Sequence, residues 1–210
     1  MRLLLAATFA LALAGCGGND AENASEDASA PQTVKVTITQ TETVTLPAEP
    51  EASCSTAGLR VTLPEQDLPP AVADVRQRVF DAAVACDYET LEQIALERGK
   101  GFTFSYGGGD SAADYWRDVE TANTEQPLPM RALSAILAMP YTRNETGSYA
   151  WPTAYSEAPT EEAWQALVTA GLYTQEQVDA MQADPGAGGY LGYRTAITAD
   201  GDWQFFVAGD

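Results

Sequence analysis

The sequence predicts a single α+β domain over residues 56–210, an antiparallel sheet of about four strands packed among helices. Three observations carry this. Two alternating runs near the C-terminus, YLGYRTAIT and WQFFVAG, flank an Asp-Gly pair and read as a β-hairpin. Val72, Val75, Val79, Ala83 and Cys86 recur at helical spacing. About 155 residues suffice for one hydrophobic core and not for two.

Taken in order, a first helix runs from Pro70 or Ala71 to Cys86, with proline in the first turn, where its missing N–H is harmless. Asp87 caps a second helix, DYETLEQIALERG, which Gly99 ends. Aromatic and polar residues alternate in GFTFSY (101–106), predicting a strand. Ser111 with Asp114 resembles a capping box and opens a helix through DYWRDVETA. A further helix fits LPMRALSAILAM and stops before Pro140. Tyr149 to Tyr155 reads as a short strand, which Pro152 assigns to a sheet edge. Thr160 begins a helix with Glu161 and Glu162 in its first turn, and Thr174 caps another. In the hairpin Leu191, Tyr193, Thr195 and Ile197 share a face, whereas the neighbours Phe205 and Phe206 point to opposite faces, so both sides of the sheet need cover.

The N-terminal region differs in kind. Arg2, an apolar run from Leu3 to Leu13 and small residues before Cys16 have the layout of a secretory signal. The run is too short to span a bilayer, which needs about 20 apolar residues. Leu13-Ala14-Gly15-Cys16 resembles the lipobox of bacterial lipoproteins, which implies cleavage after residue 15 and a diacylglycerol on the Cys16 sulfur. Acyl chains such as palmitate contribute about 0.8 kcal/mol per buried methylene, so two or three of them anchor a protein stably. The expected localisation is the extracytoplasmic side of a membrane in the cell envelope. Residues 16–55 are expected to form a low-complexity tether, although Val34, Val36 and Ile38 alternate with polar residues as a strand would.

Composition excludes much. The formal charge is -19, from 11 basic and 30 acidic side chains. Such a surface argues against nucleic acid and against adhesion to anionic headgroups. Cys54 and Cys86 remain once Cys16 is lipidated, an even pair in an oxidising compartment, and a disulfide is expected. The alternative is two free thiols, with Cys86 on an apolar helix face.

Histidine is absent, which removes Ser-His and Cys-His pairs, the HExxH zinc arrangement and imidazole acid–base chemistry. Lys35 and Lys100 stand in no SxxK pattern, and there is no GxSxG. Carboxylate and tyrosine chemistry remain. Asp110 and Asp114, beside Tyr115 and Trp116, could form an acid–base pair or a calcium site; helix capping is the plainer reading. Gly107-Gly108-Gly109 reads as a turn rather than a phosphate cradle, and Asp200-Gly201-Asp202 as a hairpin turn rather than a calcium loop. Arg194, if enclosed, needs a carboxylate, either in a buried salt bridge or from a ligand. Trp116, Trp151, Tyr155, Tyr190 and Trp203 either pack the core or line an aromatic groove for sugars. The candidate pocket is Asp114, Tyr115, Trp151, Tyr190 and Arg194, with no metal or cofactor expected.

The motifs FTFSYGGGD, YWRD, YAWP and GYLGYRTAITADGDWQFFVAGD, taken together, resemble a family of bacterial secreted proteins and lipoproteins. That resemblance implies export and an intact domain over residues 56–210, and supplies no catalytic residue. The order of elements, with Cys86-Asp87-Tyr88 to Leu91 in paired N-terminal helices and a final hairpin, is also similar to the NTF2-like cone. Extra helices between Thr160 and Gln182 depart from that pattern. The leading expectation is a non-catalytic, lipid-anchored domain that binds a ligand or an envelope protein. The alternative is an enzyme with a cone-like pocket acting on a small molecule or glycan through Asp114, Tyr115 or Arg194; a purely structural spacer is the third reading.

Overall fold

A computed structural model describes residues 54–122, 127–183 and 189–209. Cys16 and the alternation at Val34, Val36 and Ile38 lie outside the described residues. Helices α1 (Pro70–Ala85), α2 (Tyr88–Leu96), α3 (Ala112–Glu120) and α4 (Pro129–Ala138) precede β1 (Thr142–Arg143) and β2 (Tyr149–Trp151). A 3-10 turn at Thr153–Tyr155 leads to α5 (Glu161–Thr169) and α6 (Gln175–Ala183), then to β3 (Arg194–Ile197) and β4 (Trp203–Val207). The strands form one antiparallel sheet in the order β1-β2-β3-β4, an α+β arrangement in one domain. Among the described residues no helix is long and apolar enough to cross a membrane.

The helix ends follow local chemistry. Asp87 accepts the Thr90 N–H, Ser111 that of Asp114 and Thr160 that of Ala163. At α6 the cap is reciprocal: Gln177 N–H donates to Thr174 Oγ1 while Thr174 N–H donates to Gln177 Oε1. Asp114 departs from that pattern, because its carboxylate accepts from Arg117 Nη1 at 2.9 Å instead of turning back to the cap. Glu92 of α2 satisfies two other first-turn donors, its Oε1 accepting the Ala112 and Ala113 amides at 2.6 and 3.3 Å. Residue 86 ends α1 in a left-handed conformation, φ 51°, and is disulfide-bonded to Cys54.

The strands depart further from expectation. The predicted strand over 101–106 shrinks to one parallel bridge between Thr103 and Phe205. Thr103 N–H donates to Gln204 O at 3.1 Å and Phe206 N–H to Thr103 O at 2.9 Å, so the segment covers the outer edge of β4. Left-handed glycines at 99, 101, 108 and 109 turn the chain away on either side. The predicted 149–155 strand stops at Trp151, and β2 is an inner strand rather than an edge, because the two-residue β1 pairs with it. Pro152 lies just beyond the ladder and so removes no sheet hydrogen bond.

All four residues of β3 are buried. Helices α1 and α4 pack against β3, and α2 packs against β4, while α5 and α6 pair with each other and meet the sheet through the 3-10 turn after β2. Trp116, Trp151, Trp203 and Phe206 are the largest fully buried side chains. Arg76 ties this core to the extended chain before α1. Its Nε and Nη2 donate to Leu137 O at 3.0 and 2.7 Å, closing the last turn of α4, and Nη1 donates to Pro64 O at 3.0 Å. Burial pushes its pKa down to about 10, which still leaves it charged at neutral pH.

Gly201 closes the β3–β4 turn, its N–H donating to Thr198 O at 2.9 Å with φ 84°. A Cβ there would stand 2.9 Å from Ala71 O of α1. Gly201→Ala should therefore destabilise the domain by about 1–3 kcal/mol in urea unfolding, combining a strained φ with a clash against backbone. In the same turn the Lys100 ammonium, 2.8 Å from Asp200 Oδ2, and then the Thr198 hydroxyl hold the Asp200 carboxyl down from the usual 3.8 to about 2. A depressed folded-state pKa means that the bond's stabilisation is present above about pH 4 and is lost as pH falls towards 2. Lys100→Met should return the Asp200 carboxyl towards 3.8, read by carbon NMR titration of its side chain.

Candidate functional site

The five residues singled out by sequence do not converge. Asp114 and Tyr115 lie on the outer face of α3, with the Asp114 side chain 76% exposed and bonded to Arg117. Tyr115 is 38% exposed and its ring meets Phe104 at 5.4 Å. Trp151 is wholly buried on β2; its indole N–H donates to Gln66 Oε1 at 3.2 Å, and Gln66 Nε2 donates to Met139 O at 2.7 Å. Trp116 and Trp203 are likewise core, 6.0 Å apart, so these tryptophans line no surface groove.

Tyr190 and Arg194 share one neighbourhood at the entry to β3. Tyr190 is buried between Trp164 and Tyr173, and its hydroxyl donates to Tyr193 O at 3.0 Å. Burial raises its pKa well above the phenol value, so it remains a neutral hydrogen-bonding group. Arg194 is enclosed, the condition under which a carboxylate partner was expected, but no such partner is present among the described residues. Its Nη1 donates to Gly192 O at 3.1 Å, and Nη2 to Gly209 O at 2.9 Å and Tyr106 Oη at 3.2 Å. The guanidinium also lies 5.9 Å from the Tyr106 ring and 5.5 Å from the Tyr155 ring. Neutral carbonyls, a hydroxyl and two π faces thus take the role given to an anion. Arg194 links β3 to the C-terminal end of β4 and to the 101–106 segment.

Beside this cluster is a concavity that Tyr190 and Tyr155 help to line and whose other walls sequence reasoning missed. A polar cleft of about 300 Å³ is bounded by Arg143, Asn144, Glu145 and Thr146 of the β1–β2 turn and by Tyr155, Ser156, Glu157 and Tyr190. The turn is built by Asn144, whose Oδ1 accepts the Ser148 N–H at 2.9 Å and whose backbone O accepts the Gly147 N–H at 2.8 Å. Arg143 lies 4.0 Å over the Tyr149 ring, which steadies the cation at the rim. The cleft offers two carboxylates, one guanidinium, an amide, two aliphatic hydroxyls and two phenols. Groups of these types are able to hydrogen-bond a small polar molecule, and among the described residues lining the cleft no nucleophile is hydrogen-bonded to a base. Asn144-Glu145-Thr146-Gly147 consists of turn-forming residue types, a signal the sequence reading passed over, and the two-residue β1 that aims it is too short to show a period. Among the described residues no group of three His, Cys, Asp or Glu is placed to hold a metal ion.

Arg194→Met should cost about 1–3 kcal/mol in urea unfolding, because it leaves the Gly192 and Gly209 carbonyls without their donor. Amide exchange should rise at Gly209, whose N–H donates to Leu191 O at 2.8 Å across the same junction.

No protein-family model matches this chain, and no curated protein and no solved structure matches it.

Proposed function

We propose that the protein is a lipid-anchored, extracytoplasmic binding protein, non-catalytic, which presents its folded domain to a small polar ligand or an envelope protein. The observation that carries this reading is the sequence Leu13-Ala14-Gly15-Cys16 after an apolar run headed by Arg2. The Cys54–Cys86 disulfide supports it, since such bonds persist in oxidising compartments. With residues 1–15 removed, 10 basic side chains face 30 acidic ones, so lipid rather than charge must supply membrane attachment.

The binding half of the reading rests on the cleft between the β1–β2 turn and Tyr155-Ser156-Glu157. Its polar, open character suits reversible capture through hydrogen bonds. The enzyme alternative is weaker, because Asp114 faces solvent in an ion pair with Arg117 and Arg194 is engaged by internal acceptors.

Fractionation of the expressing cells tests the anchor. The full chain should partition with membranes and carry acyl mass on Cys16, whereas Cys16→Ser should leave an unacylated protein that no longer takes up labelled palmitate. A wild-type chain recovered from the medium with an unmodified Cys16 would sink the proposal.

A further inference from the structure

The polar cleft is lined by charges that do not pair with one another. Arg143 at the end of β1, Glu145 in the β1–β2 turn and Glu157 after the 3-10 turn all border the same space of about 300 Å³. Among the described residues the Arg143 guanidinium nevertheless forms no ion pair and donates no hydrogen bond, and neither carboxylate accepts one. On the helices, by contrast, Arg78 pairs with Glu97, and Arg117 with Glu89 and Asp114. Arg143 rests 4.0 Å over the Tyr149 ring, a contact that steadies the cation and leaves its N–H groups free to donate.

Asn144 supplies a second donor beside it. Its Oδ1 accepts the Ser148 N–H at 2.9 Å and the Thr146 hydroxyl at 2.8 Å, which fixes the orientation of the amide. The Nδ2 hydrogens are left without an acceptor among the described residues. Tyr155 adds ring surface held in place beforehand, edge-on to Phe205 at 6.0 Å and 5.5 Å from the Arg194 guanidinium. The cleft thus combines unused donors on Arg143 and Asn144, unused acceptors on Glu145 and Glu157, and a fixed aromatic wall.

Two negative groups and one positive group favour a ligand with the opposite count, one anionic group and two cationic ones. A phosphate or dianion meets repulsion from both carboxylates. A neutral sugar brings no counter-charge to any of the three, and a lone ammonium leaves Arg143 and Asn144 unused. We propose that the cleft takes a basic amino acid, its carboxylate bound by Arg143 and Asn144 and its two ammonium groups by Glu145 and Glu157. The proposal rests on the reading of this cleft as a ligand site. A guanidinium meets a carboxylate through two parallel N–H bonds, and each ammonium brings three donors to a carboxylate. The methylene stem between the ligand's charges packs on the tyrosine rings. A volume of about 300 Å³ is at the small end for ligand sites and suits one amino acid rather than a peptide.

The test follows backbone amide shifts of the full chain at about pH 6, where both ammonium groups of the probes are charged, as L-lysine, L-lysinamide or glucose is added. L-lysine should shift the Asn144, Glu145, Gly147 and Glu157 amides to saturation. L-lysinamide, which lacks the carboxylate, should bind about tenfold more weakly, the loss of one charged hydrogen-bonded contact. Arg143→Gln should weaken L-lysine about tenfold without weakening L-lysinamide, whereas Glu157→Gln should weaken both. Both positions are exposed, so neither substitution removes buried packing. Equal affinity for L-lysine and L-lysinamide, or an Arg143→Gln variant that weakens the two alike, overturns the proposal. Glucose shifting these amides where L-lysine does not overturns the basic amino acid and leaves the cleft a ligand site. Silence from all three probes overturns the proposal and removes the cleft from the binding reading as well.

Discussion

Strand β3 is dry on both faces, and much of the architecture answers that condition. A strand with Arg194, Thr195, Ala196 and Ile197 all buried must be covered from two directions and paired on both edges. Helices α1 and α4 pack against it, while β2 and β4 take its edges. Polar groups inside such a strand must be satisfied locally. Thr195 does this by donating to Phe205 O at 2.6 Å and accepting from the Trp203 indole at 2.7 Å. Arg194 does it with carbonyls, a hydroxyl and aromatic faces. Removing any of these acceptors would strand a buried donor, so this polar interior is specific as well as stabilising.

The helices were legible because their signals are local. Asp87, Ser111, Thr160 and Thr174 each sit within three residues of the amide they cap, and proline marks the starts of α1 and α4. The C-terminal hairpin was legible for the same reason, since its turn is encoded between its strands. What could not be read was pairing at a distance. GFTFSY alternates as well as any strand, yet only Thr103 finds a partner, about a hundred residues away on β4. Two residues suffice for β1 because β2 supplies the template, and two residues have no period. The bulge between Ala196 and Ile197 was equally hidden.

The candidate site shows the same division. Residue chemistry excluded most hydrolytic templates, through the absence of histidine and of SxxK and GxSxG patterns. It could not tell which of the remaining polar residues face each other. Asp114, Tyr115, Trp151, Tyr190 and Arg194 were chosen for chemical type, and the fold sends two to the surface and three to the interior. The polar cleft instead recruits a turn whose residues are individually unremarkable in sequence.

The disulfide also fixes how the domain bears mechanical load. Residues 55–69 are held by individually modest bonds, including Thr56 Oγ1 to Val84 O at 2.8 Å and Gln66 Nε2 to Met139 O at 2.7 Å. Pulled from their N-terminal end, such contacts would break in succession, as the teeth of a zip do. The Cys54–Cys86 bond prevents this, because force arriving at Cys54 crosses the sulfurs to the junction of α1 and α2 and bypasses that whole segment. The peelable stretch becomes a slack loop outside the load path. Tension on the chain before Cys54 then acts on the two-helix corner at its base, where it must shear packed helices rather than unpick single hydrogen bonds.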